Sequence, residues 1–93
     1  MSEITINATR SQIEDFISSV LWKDMIRELS MWKAGFRREM ASIVDNAADT
    51  NPSSASVLMH LGDINGRIKA VDYMLGLPEM FLQVLKAKGE DNG

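Results

Sequence analysis

Val57, Leu61, Ile64, Ile68, Val71 and Leu75, in the stretch VLMHLGDINGRIKAVDYML at residues 57–75, decide the fold. Their spacing of 4, 3, 4, 3, 4 is a heptad seam, the pattern of a helix that packs lengthwise along another helix. The partner is upstream. Ile13, Phe16, Ile17, Val20 and Leu21 recur at helical spacing, and the pattern runs on through Met25, Leu29, Trp32, Phe36, Met40, Ile43 and Ala47 with only Gly35 interrupting good helix formers.

Local signals set the expected boundaries. Thr9 followed by Gln12 has the form of a capping box, so helix begins after an arm at residues 1–8. Ser18-Ser19 competes for backbone hydrogen bonds and predicts either a kink or a break there, with a second helix from about Val20. Asp45 to Ser56 is rich in Asp, Asn and Ser, which places an inter-helix loop at 49–56, with Asn51 capping and Pro52 opening the next helix. Gly76-Leu77-Pro78 reads as a helix stop, leaving a short last helix from Glu79 to about Lys86 and a polar tail at 87–93. The expected fold is therefore all-α, a single domain over 1–93: an elongated antiparallel helical hairpin with a short N-terminal helical segment and a short C-terminal helix. A helix over 20–47 is about 40 Å long, whereas a compact globule of this length has a radius of gyration of about 12 Å.

Composition narrows function. The 93 residues contain no cysteine, which removes disulfide frameworks, thiolate metal sites and thiol catalysis. With 13 acidic and 10 basic residues the net charge is −3, which disfavours sequence-independent nucleic-acid binding. The stretch Met1-Ser2-Glu3-Ile4-Thr5-Ile6-Asn7 has no basic start followed by an apolar run, and no apolar run approaches the roughly 18 residues that span a bilayer, so a cytosolic setting without membrane contact is expected. Asn7-Ala8-Thr9 matches a glycosylation triplet that has no consequence in such a setting.

Candidate sites are few. His60 with Asp63 offers two metal ligands on one helical face, and a third would have to come from Asp72 or another chain, so no metal and no cofactor is expected. Asp45, Asp49 and Asn51 lack the glycine and terminal glutamate of a calcium loop. Gly62 and Gly66, one turn apart on the heptad helix, suggest a close contact, with Trp32 or Phe36 filling the space. Glu14-Asp15 lies on the exposed side of the first helix, and no nucleophile, phosphate loop or metal cluster is present, so no catalytic residue is expected and the protein reads as non-enzymatic.

Two surfaces stand out. Trp22, Ile26 and Met31 fall off the main stripe of the long helix and call for a further partner, which makes them the expected protein interface. Lys23, Arg27, Lys33, Arg37 and Arg38 give the segment 20–41 a net charge of +2, and Arg67 and Lys69 extend this basic patch across the hairpin. A solvated face with intrahelical pairs accounts for the patch, and docking to acidic protein or to phosphates would also use it.

Val20-Leu21-Trp22-Lys23-Asp24-Met25 together with Gly66-Arg67-Ile68-Lys69-Ala70-Val71-Asp72-Tyr73-Met74-Leu75-Gly76-Leu77-Pro78-Glu79 resembles small helical proteins of tailed bacteriophages that are often encoded near head and packaging genes. The resemblance covers about a quarter of the chain and implies a virion or assembly accessory protein that acts by self-association, in the host cytoplasm or the virion. It assigns no catalytic residue. Two other readings stay open: a small phage inhibitor that binds a host or defence protein, and an oligomer holding a phosphate-bearing ligand through Arg37, Arg38 and Arg67.

Overall fold

The computed structural model describes residues 5–50 and 53–89. They form three α-helices, α1 (Arg10–Ile17), α2 (Val20–Thr50) and α3 (Ser54–Ala87), and no strand is present among the described residues. The fold is all-α, with α2 and α3 packed as the arms of a hairpin and α1 set against both. The expected capping box is present: the Gln12 amide donates to Thr9 Oγ1 at 3.1 Å, and the Thr9 amide donates to Gln12 Oε1 at 2.9 Å. Ser18-Ser19 is a break. Ser18 caps the C-terminal end of α1, while Ser19 Oγ accepts the Trp22 amide at 3.1 Å and donates to the Phe16 carbonyl at 2.6 Å. One hydroxyl thus serves both ends of the elbow.

Three expected boundaries need correction. The inter-helix segment is not 49–56, because α2 continues to Thr50 and α3 starts at Ser54, capped by Ser53 Oγ accepting the Ser56 amide at 3.1 Å. Asp45 and Asp49 are accordingly helical, and the Asn51-Pro52 cap falls outside the described residues. There is no separate short C-terminal helix: α3 runs unbroken through Gly76 and Pro78 to Ala87. The reason is visible in the spacing. The seam extends as Leu75, Pro78, Leu82 and Leu85, still at 3, 4 and 3, so Pro78 occupies a seam position and is buried there. Proline deletes one i→i−4 bond, and burial of three further seam residues offsets that loss and holds the chain helical. The glycine that ends the helix is Gly89, at φ 73°, one residue beyond the cap Lys88 and within the polar tail expected at 87–93, and not Gly76.

On α2 the half-buried stripe is Leu29, Lys33, Phe36, Met40, Ile43 and Ala47, spaced 4, 3, 4, 3, 4. Trp32, expected on that stripe, is 50% exposed beside it. A strict 4-3 seam on α3 selects a strict 4-3 seam on α2, and that register takes in Lys33 instead. Lys33 is therefore not part of a solvated basic patch: its side chain is only 19% exposed, the stem lies along the seam, and the ammonium donates to Asp72 Oδ1 on α3.

The hairpin is thin. Its radius of gyration is 18.7 Å and its extents are 60 × 33 × 14 Å, so it is elongated, as expected, and flat. The core consists of Ile13, Trp22, Ile64, Ile68, Val71 and Leu85, with Ile64 alone wholly enclosed. Trp22, expected at an exposed interface, is 7% exposed, because α1 folds back at Ser18-Ser19 and lays Phe16 against it.

Gly62 and Gly66 also depart from expectation. Both are exposed, and a Cβ built on either meets nothing within 4 Å, so neither permits a close approach. Gly62→Ala and Gly66→Ala should each stabilise the protein by roughly 0.5–1 kcal/mol through helix propensity and reduced unfolded-state freedom. Urea unfolding checks this, and a lowered midpoint would reveal a contact on that face.

Candidate functional site

At the closed end of the hairpin, where α1 turns back on α2 and the C-terminal half of α3, the three helices leave a groove of about 590 Å³. The elbow creates it. Ser19 fixes the turn, and Phe16 on α1 meets Trp22 on α2 with ring centroids 5.2 Å apart and planes tilted by 41°. Ile13, Trp22 and Pro78 are the buried part of the lining and Leu29 is half-buried. Met25 and Trp32 stand along the α2 side, and Met74, Leu77 and Phe81 along the α3 side.

The groove offers hydrocarbon, aromatic rings and thioethers. Two residues with polar heads, Gln12 and Glu28, contribute to the lining, and both are engaged: Gln12 Oε1 accepts the Thr9 amide, and Glu28 Oε1 accepts the Trp32 indole N–H at 3.1 Å. The Glu28 bond sets the orientation of the half-exposed Trp32 ring. A second shallow depression between Trp32, Gly35, Phe36 and Glu39 continues this face toward the open end of the hairpin. Such a lining can bind apolar or amphipathic matter by desolvation.

The residues singled out by sequence are dispersed. Trp22 lines the groove from within, whereas Ile26 and Met31 are exposed and do not line it. Met31 comes two residues after Leu29, about 200° around the helix, and so faces away from the seam. Among the basic residues, Arg27 pairs with Asp24 at 2.8 Å, Lys33 with Asp72, and Arg67 with Asp63 at 2.9 Å while its guanidinium stands 6.0 Å above the Phe36 ring. Lys23, Arg37, Arg38 and Lys69 are exposed. Arg37 and Arg38 are successive and point about 100° apart, so the three arginines proposed for a phosphate do not converge on one side of a helix. His60 faces Glu39 on α2 at 3.9 Å, and Asp63 and Asp72 are held by Arg67 and Lys33. Among the described residues no group of three or more His, Asp or Glu side chains is placed to hold a metal ion, and no helix is long and apolar enough to cross a membrane.

Compared with known proteins, the chain matches no family model, no curated protein and no solved structure. The groove is therefore read on its own chemistry. Met25, Trp32, Met74 and Phe81 were not singled out as a site from sequence, although each flanks a seam position and so had to lie at the border between the helices.

Removing the Ser19 hydroxyl tests how far the groove depends on the elbow. Ser19→Ala should cost about 1 kcal/mol, the usual value of an N-cap, or a fall of roughly 4–8 °C in Tm for a chain of this size. Thermal unfolding followed by circular dichroism reads the first effect, and a red shift of indole emission reads the accompanying exposure of Trp22.

Proposed function

We propose that this chain is a non-catalytic helical protein that works by self-association, as a virion or assembly component. The observation that carries this reading is the surface left uncovered. The accessible surface is 6915 Å², whereas a compact monomer of 10.4 kDa exposes about 5,400 Å². That excess reflects the elongated shape, and it leaves large apolar side chains open, among them Met25, Trp32, Met59 and Tyr73.

Layer geometry supports the same reading. Domains bury their apolar faces between two packed layers, and here the α2–α3 pair has only the short α1 set against it. Beside the seam, Met25, Trp32 and Met74 stay 38–50% exposed around the groove. Apolar side chains gathered in this way call for a cover. Stacking two copies makes a four-helix bundle with a second core. The phage resemblance supplies the setting in which such an assembly would act.

Light scattering on a sizing column over a tenfold range of concentration tests the proposal. A closed oligomer is the expected result. A monomer at every concentration would overturn it and would leave the uncovered surface for a different protein, as the inhibitor reading requires.

A further inference from the structure

Deepening that reading, on which it rests, we infer that the second copy docks on the groove face, by an isologous two-fold contact in which Trp32 of each chain packs beside Met74 of the other. Three surfaces compete for the role. The outer edge of α3, with Met59, Gly62, Gly66 and Tyr73, is a single convex helix whose glycines add no side-chain area. The flank of the hairpin bearing the Lys33–Asp72 pair carries charges that stacking would have to desolvate. The groove face alone is concave, with a lining in which Glu28 is the single charged residue.

Its composition is that of an interface centre. Met25, Trp32 and Met74 are all partly exposed around the concavity, and tryptophan is among the residues that most often dominate binding energy when fully desolvated. Charge agrees as well. A two-fold axis parallel to the helices lays α2 of one copy over α3 of the other without changing height along the hairpin. Residues that are neighbours across the α2–α3 seam then also face each other between copies. Trp32, next to Lys33 and hence level with Asp72, falls on the stretch of α3 that ends in Met74. Glu39, level with His60, and Phe36, level with Arg67, fall at the rim, where an acid on one copy meets His60 and Arg67 on the other.

Because the contact is isologous, each substitution acts twice. Trp32→Ala and Met74→Gln should each weaken the dimer by at least about 30-fold, measured by sedimentation equilibrium with helicity checked by circular dichroism. Tyr73→Ala on the α3 edge and Met31→Ala on the back of α2 should leave dissociation within about threefold of wild type, as expected outside a hot spot. If Trp32→Ala loses helicity, Met74→Gln decides alone. An oligomer that survives both groove variants, or that is dissociated by Tyr73→Ala instead, overturns the groove contact while leaving self-association standing. A wild-type protein that stays monomeric overturns both.

Discussion

The α2–α3 seam is the constraint on which the rest of the molecule depends. It runs without a phase change from Val57 to Leu85, with Ile64, Ile68, Val71, Pro78 and Leu85 buried along it. A seam of apolar residues alone would tolerate a slide by one heptad. Lys33 narrows that degeneracy: its ammonium reaches Asp72, whereas a slide one way would set it level with Asn65, which carries no charge, and only a slide the other way, toward Glu79, would offer it another acid. A single polar residue in a seam position has this registry role in coiled coils, where it costs stability and specifies alignment. Correct register in turn places α1 against the C-terminal half of α3 and so forms the groove.

Most of the architecture was legible because it rests on periodicity and on caps that act within four residues. The Thr9 capping box, the break at Ser18-Ser19 and the heptad seam are all of that kind. The misreadings arose where tertiary packing outweighed a local signal. Gly76 and Pro78 are strong punctuation in an isolated peptide, yet Pro78 falls on the seam, and burial holds the helix together there. The polar stretch before Pro52 looked like loop, yet α2 runs on to Thr50 with Ile43 and Ala47 still half-buried on its stripe. Lys33 looked like part of a basic face for the same reason: residue type was legible, while the phase that turned it inward was set by α3.

The site was less legible than the fold. Trp22 was expected at an exposed interface, and it is instead a buried support of the groove. The groove exists because α1 doubles back, and a turn's direction in space is not written in the spacing of apolar residues. Trp32 acquires its position from two separate facts, the 4-3 phase of α2 and the bond from its indole to Glu28. Neither has meaning until the partner helix is in place.

The position of the elbow also shapes how the chain must fold. The deepest burial lies midway along α3, at Ile64 and Val71, and it continues to the elbow through Ile13, Trp22, Pro78 and Leu85, while Val57 and Leu61 beside the connection between α2 and α3 are only half-buried. A hairpin that zips from its turn therefore gains little at first, most as Ile64 to Val71 dock on α2, and the rest when the elbow and the C-terminal part of α3, some sixty residues apart in sequence, finally meet. Loop closure must precede that last gain. The chain thus combines helical local structure, which forms quickly, with a late, long-range docking step at the elbow. Local opening follows the same gradient: the turn end unravels at low cost, and the Ile64–Val71 stretch is the last part to let go.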